Sequence, residues 1–234
     1  VTLEHRIRVE IDAGDHLSAV VSRPEACRRG ITPGLVLAHG AKNDLHHPLL
    51  EAVACGLAAS GAAIVMRFNF AYAEHGGETP DRIERLELAY RRAHDALVDD
   101  AVCPPGPVFL GGKSLGARVA AGLATRHHEG EGLLAAGLVF LGYPLHAPGR
   151  SEKPRLDLLQ RLDVPSLFLE GTRDPFCDLD ALRPALAAMP HPGELYVIEG
   201  GGHSLEVARS SGASQDQVNA EIVEAVARFI AAHS

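Results

Sequence analysis

The segment Val108-Phe-Leu-Gly-Gly-Lys-Ser-Leu-Gly116 puts one glycine two residues before Ser114 and another two residues after it. Glycines at those spacings let a chain turn sharply from a strand into a helix. The central serine is then held in a strained backbone conformation with its hydroxyl exposed. A helix that starts just after it aims amide N–H groups and the positive end of its dipole at the same point. The chemistry implied is nucleophilic attack by Ser114. The run Gly112-Lys113-Ser114 also looks like the end of a phosphate-binding loop, but G-x-x-x-x-G-K-S needs glycine at position 107, where Pro107 stands, and Gly106 is out of register by one. The amides of such a loop must converge on the phosphates, so the shift disfavours a nucleotide site.

A serine hydroxyl is a poor nucleophile near neutrality. It needs an imidazole to take its proton and a carboxylate to fix that imidazole's tautomer. Phe168-Leu-Glu-Gly-Thr-Arg-Asp174-Pro places Asp174 in a loop after a buried-type strand, and Tyr196-Val-Ile-Glu-Gly-Gly-Gly-His203 places His203 in a Gly-rich loop after the last strand. Both lie at the carboxyl ends of strands, where open parallel sheets build their sites. Alone, an Asp before Pro is a turn former and a loop His is a solvated surface residue. Together with Ser114, in the chain order Ser, acid, His, they make a nucleophile, an orienting acid and a general base. Asp178 and Asp180 are the substitute acids, expected at the start of the next helix.

Attack on a carbonyl creates an alkoxide that preorganised donors must meet. The N–H of Leu115 is one expected donor, and the N–H of Ala41, in the loop Ala38-His39-Gly40-Ala41, is the other. His39 is expected to brace that loop. Arg67, Phe68, Asn69, Phe70 and Tyr72 follow another strand and either line a pocket or serve as core and hinge. The pairs His46-His47 and His127-His128 lack acidic partners at ligand spacing, so neither metal nor cofactor is expected.

The elements that must position these residues alternate. Leu3–Ile11 and Leu17–Ser22 read as two strands of an antiparallel hairpin. After it come the strand 34–39, a helix through Leu49–Ala58 stopped by Gly61, the strand 62–68, a helix around Leu86–Leu97 and the strand 107–111. A helix from about Leu115 to His127 follows, then strands 136–142 and 164–170, a helix 179–189, a strand 194–199 and a last helix carrying Val218, Ile222, Val226, Phe229 and Ile230 on one face. This order predicts a mainly parallel α/β sheet with right-handed crossovers, helices on both faces and a single domain over residues 1–234. Tyr143–Asp163 lacks strong periodicity and is too short for a lid domain.

With 234 residues and 46% apolar content, the chain is long enough to bury one sizeable core. Its 22 basic and 30 acidic residues give −8 with no basic patch, which disfavours nucleic acid as a partner. No apolar stretch approaches a membrane span. Cys27, Cys55, Cys103 and Cys177 are widely spread without a pairing cadence, so they read as reduced thiols, and the expected setting is cytoplasmic, with no signal pattern in the residues present.

These residues resemble the α/β-hydrolase superfamily and, more narrowly, small proteins similar to dienelactone hydrolases and to the hydrolase-like subunit of the NSL histone acetyltransferase complex. The likeness is carried by Ala38-His-Gly-Ala41 with His46-His-Pro-Leu-Leu50, Arg67-Phe-Asn-Phe70, Gly111-Gly-Lys-Ser-Leu-Gly-Ala-Arg118, Gly142-Tyr-Pro-Leu-His146, Gly171-Thr-Arg-Asp-Pro-Phe176 and Gly202-His203. The chain departs from the group at Lys42 and Asn43, where a more glycine-rich stretch is usual, and at Cys177, where glycine is usual. The resemblance implies a lidless scaffold with Ser114, Asp174 and His203 as its catalytic residues. It also implies a serine hydrolase that cleaves an ester or related acyl bond of a small-molecule substrate through an acyl-enzyme. The alternatives are an interaction protein that keeps the fold without turnover and an acyltransferase. The sequence names no oligomeric state.

Overall fold

The computed structural model describes residues 3–147, 156–208 and 212–234. An eight-stranded sheet runs through them in the order β1-β2-β4-β3-β5-β6-β7-β8. β1 (Leu3–Asp12) and β2 (Asp15–Arg23) form the antiparallel hairpin, and β2 pairs antiparallel with β4 (Ile64–Phe68). The others are parallel: β3 (Gly34–Ala38) beside β4 and β5 (Val108–Lys113), then β6 (Leu138–Leu141), β7 (Ser166–Gly171) and β8 (Glu194–Ile198). The fold is that of the α/β hydrolases.

β3, β4 and β6 are buried along their whole length, and β5 nearly so, which is why they read as unbroken apolar runs instead of alternating patterns. One core packs α1 (Pro48–Ala59) and α6 (Gln215–Ala232) against one face through Leu50, Val53, Leu57, Ile222, Val226 and Ile230. The other packs α3 (Ile83–Val98), α4 (Leu115–Thr125) and α5 (Leu179–Ala187) on the opposite face around Tyr90, Val119, Leu123, Phe140, Phe168 and Leu182. A one-turn helix, α2 (Ala71–Glu74), follows β4. The helix expected to reach His127 ends at Thr125 and gives way to a 3-10 turn over His127–Glu129. Residues 148–155 of the aperiodic segment Tyr143–Asp163 lie outside the described residues. Among the described residues no helix is long and apolar enough to cross a membrane.

One expectation is overturned. Cys27 and Cys103 form a disulfide with Cα atoms 6.5 Å apart, and Cys55 and Cys177 stay outside it as thiols. The two cysteines are 76 residues apart, so local spacing carries no sign of the pairing. Topology brings them together, because the loops that enter the adjacent parallel strands β3 and β5 start at the same end of the sheet. Backbone and side-chain bonds knit the same loops: Gly30 N–H donates to Pro104 O at 2.8 Å, and Arg29 Nη1 to Ala101 O and Val102 O at 2.8 and 2.9 Å.

Unreduced protein in denaturant is therefore expected to show two titratable thiols, and reduced protein four; four without reductant would refute the bridge. Cys103→Ser should lower stability by about 2–4 kcal/mol, the range for closing a long loop, in denaturant melts.

Candidate functional site

Ser114 stands between the last residue of β5 and the first of α4 with φ 53 and ψ −110, a conformation non-glycine residues rarely hold. The flanking glycines make the turn possible by close approach. A Cβ on Gly116 would stand 2.4 Å from Ala38 O, and one on Gly112 would stand 2.6 Å from Gly116 C and 2.8 Å from Ala38 O. No side chain fits either place. Tyr90, buried beneath, accepts Gly111 N–H at 2.8 Å and holds its hydroxyl 2.9 Å from Val36 O and Gly111 O, tying β3 to the strand that delivers the serine.

The His203 loop, after β8, reaches back across the ends of β7 and β6. It lies directly on Gly142, whose φ is +65 and whose Cβ, if present, would be 2.4 Å from His203 O. That descent puts His203 Nε2 2.8 Å from Ser114 Oγ and Nδ1 2.7 Å from Asp174 Oδ2. With Nδ1–H donating to the carboxylate, Nε2 is the acceptor for the serine hydroxyl. Asp174 has a fully buried side chain, and its second oxygen accepts Phe176 N–H at 2.7 Å, so both oxygens are engaged. The Phe176 ring packs on the imidazole with centroids 4.2 Å apart. Asp178, the substitute acid, is instead the N-cap of α5, accepting Asp180 N–H at 2.9 Å, and Asp180 lies in the first turn of that helix.

The loop Ala38–Ala41 faces the serine from β3. A Cβ on Gly40 would lie 3.2 Å from Ser114 Cβ. His39 is fully buried; its Nδ1–H donates to Gly40 O at 2.8 Å and its Nε2 accepts Phe70 N–H at 3.0 Å, so it braces the loop. Among the described residues neither Ala41 N–H nor Leu115 N–H meets a protein acceptor. Lys42 follows with φ 59, a left-handed position at the point where the chain departs from the glycine-rich pattern of the resembled group.

Of the residues left open between pocket and core, Phe68 and Phe70 are fully buried and Arg67 is 1% exposed, so they belong to the interior. Tyr72 donates its hydroxyl to Gly40 O at 3.2 Å, and Asn69 Oδ1 accepts Leu45 N–H at 2.8 Å. His46 pairs with Glu51 at 2.9 Å. His47 caps α1, its Nδ1 accepting Leu49 N–H at 3.2 Å. His127 and His128 sit in the 3-10 turn with ring centroids 5.4 Å apart.

Several ionisable groups near the site escaped the sequence reading. Lys113 is 4% exposed, and burial lowers its pKa against the opposing pull of Glu206 and Asp174. Glu170 at the end of β7 is fully buried and accepts Tyr143 N–H at 2.6 Å; burial pushes its pKa well above the usual carboxylate value. Burial also lowers His39 and His47 to about 4, so both are neutral near pH 7. Only the elbow position of Lys113 and the location of Glu170 just before the Asp174 loop could have marked these residues.

The family described as "Alpha/beta hydrolase domain" matches residues 32–231. Among solved structures, an alpha-beta serine hydrolase homologue from Coxiella burnetii superposes with a TM-score of 0.72 at 17% identity, covering 96% of each chain. A dienelactone hydrolase from Anabaena variabilis gives 0.72 at 17% identity over 99% of this chain and 98% of its own. A serine hydrolase without lid from Xanthomonas campestris gives 0.69 at 17% identity over 98% and 94%. At such identities these likenesses establish the fold.

Because His39 is held neutral when folded and protonates near 6.5 when free, the unfolded chain binds more protons between about pH 4 and 6.5. Stability should therefore fall as pH drops through that window, with about 3 kcal/mol of the loss from His39, whose pKa is lowered from 6.5 to about 4, and a further part from the similarly lowered His47. Denaturant melts of His39→Asn should show lower stability at pH 7 and a shallower loss on acidification. An equally steep loss would show that His39 is not its source.

Proposed function

We propose that this chain, which belongs to the alpha/beta hydrolase domain family, is a serine hydrolase that cleaves an ester or related acyl bond of a small-molecule substrate through an acyl-enzyme. The carrying observation is the unbroken contact Asp174 Oδ2, His203 Nδ1, His203 Nε2, Ser114 Oγ, with spacings of 2.7 and 2.8 Å. A hydroxyl, an imidazole and a buried carboxylate in that order can move one proton off the serine and return it to a leaving group.

In the proposed reaction Ser114 Oγ attacks the carbonyl carbon while its proton passes to His203 Nε2. Asp174 holds the imidazole's tautomer and stabilises the imidazolium. The alkoxide oxygen takes the N–H groups of Ala41 and Leu115, and α4's positive end faces the same point. As the tetrahedral species collapses, the bond to the leaving oxygen breaks and that oxygen takes the proton from His203. Water then gives a proton to His203, its oxygen attacks the acyl carbon, and the acid is released as Ser114 regains its proton. Every step closes without a metal or cofactor.

The proposal keeps the narrower kinship with dienelactone-hydrolase-like proteins and the hydrolase-like subunit of the NSL histone acetyltransferase complex, and treats residues 1–234 as one domain. Reduced cysteines are one of the cues for a cytoplasmic setting. The Cys27–Cys103 bridge removes that support and favours an oxidising compartment.

A fluorophosphonate probe should label the wild type and leave Ser114→Ala unlabelled. Short p-nitrophenyl esters should lose at least about 10³-fold in kcat in that variant. Absence of labelling and turnover from both proteins would sink the hydrolase reading and favour an interaction protein. Ester products formed with added alcohols would turn the reading toward acyl transfer.

A further inference from the structure

The loop that carries His203 closes a tight turn on itself. Leu205 N–H donates to Gly202 O at 3.0 Å, so residues 202 to 205 form a four-residue turn with His203 and Ser204 at its centre. That bond holds one of the two peptides flanking the His203 Cα, because Gly202 O and His203 N–H lie in one plane. It leaves the other, the His203–Ser204 peptide, able to rotate. Type I and type II turns differ by a flip of this central unit, and the flipped form gives the third residue a positive φ. Among the described residues positive φ off glycine is confined to Lys42, Ser114 and Leu205, so Ser204 stands in the unflipped form.

Glu206 supplies the restraint that the turn lacks. Ser204 N–H, in one plane with His203 O, donates to Glu206 Oε2 at 2.8 Å. No other protein hydrogen bond reaches that peptide among the described residues, and His203 O rests against Gly142. The backbone of Glu206 is itself held on both sides by Gln215, the first residue of α6. Gln215 Oε1 accepts Val207 N–H at 3.0 Å and its Nε2 donates to Leu205 O at 3.4 Å, while Glu206 O accepts Gly202 N–H at 2.9 Å. Gly202 makes room for the carboxylate. A Cβ there would stand 2.3 Å from Glu206 Oε1 and 2.8 Å from its Cδ, and no positive φ calls for glycine at that position.

We propose that Glu206 is a positioning residue: its carboxylate, admitted by Gly202, locks the central peptide of the turn and so fixes the direction from which the His203 imidazole reaches Ser114. The inference rests on the hydrolase reading above. The two peptides flanking a Cα set the direction of its side chain, and here the turn bond holds one and the carboxylate holds the other. Without Glu206, water can satisfy Ser204 N–H but favours neither orientation of the peptide. A flip lifts His203 O off Gly142 and tilts the imidazole relative to Asp174 and Ser114.

Four full-length variants test it: Glu206→Ala, Glu206→Gln, Gly202→Ala and the double Gly202→Ala/Glu206→Ala. For each, p-nitrophenyl ester kinetics are measured together with amide exchange at Ser204 and the downfield proton resonance of His203 Nδ1–H. In Glu206→Ala we expect kcat to fall about 10- to 100-fold, since a small misplacement of a catalytic group costs that much, with KM within about threefold. Ser204 exchange should quicken and the His203 resonance should shift or broaden. Glu206→Gln keeps an acceptor oxygen at the same reach and should recover most of the loss. Gly202→Ala should reproduce the loss, because its methyl group drives the carboxylate off the amide. Added to Glu206→Ala it should cost nothing further, since nothing is left to displace.

Retention of kcat in Glu206→Ala overturns the proposal, as does a Gly202→Ala penalty of equal size with and without Glu206. A fall in kcat with Ser204 exchange and the His203 resonance unchanged overturns the positioning role. Should Glu206→Ala not fold, Gly202→Ala decides by the same exchange and resonance measurements. Failure of the hydrolase reading shows separately, as absent turnover in the wild type, while those two measurements still decide whether Glu206 holds the turn.

Discussion

The rest of the site is built around one strained residue. Ser114 at φ 53 can exist only because β5 and α4 approach each other and β3 more closely than any side chain allows. Two glycines create that approach, and Tyr90 spans β3 and β5 from below to hold it. Once the serine is set, the remaining parts have little freedom. Parallel neighbours about 4.8 Å apart deliver their carboxyl ends to one edge, so loops from β3, β7 and β8 all open onto the same place.

The His203 loop shows how this edge is used. β8 lies three strands from β5, so its loop must run back over β7 and β6 before an imidazole can reach the serine. The missing side chain at Gly142 lets it lie flat against the end of β6. Asp174 arrives from the intervening strand with one oxygen satisfied by Phe176 N–H, which leaves the other for the imidazole. The ring of Phe176 then limits rotation of that imidazole from its face.

Around this line the protein keeps buried charge low. His39 and His47 are neutral because ionised rings would lose hydration that the loop cannot replace, and in that form each ring nitrogen has a fixed role as donor or acceptor. Glu170, with no cation against it among the described residues, is displaced toward its protonated form. Arg67 is handled differently. Its guanidinium cannot be deprotonated, so two carboxylates meet it, and the network that balances its charge also supplies the bond to Leu45.

Local order was legible in the sequence because it is encoded within a few residues. The alternation of strands and helices, the elbow around Ser114, the loop positions of Asp174 and His203 and the N-terminal placement of Asp178 and Asp180 all follow from periodicity and turn chemistry. Periodicity and turn chemistry therefore fix the α/β class and the residues that stand at the ends of strands. Which ends meet is settled by the folded chain: the contact between Ser114 and His203 spans 89 residues and the disulfide 76, distances over which spacing carries no geometric information. It also decides that Arg67, near the end of β4, and Asn69, just past it, reach Leu45, because the course of a long or loop-borne side chain is set by the partners packed against it, and those come from β1, β2, α1 and α2.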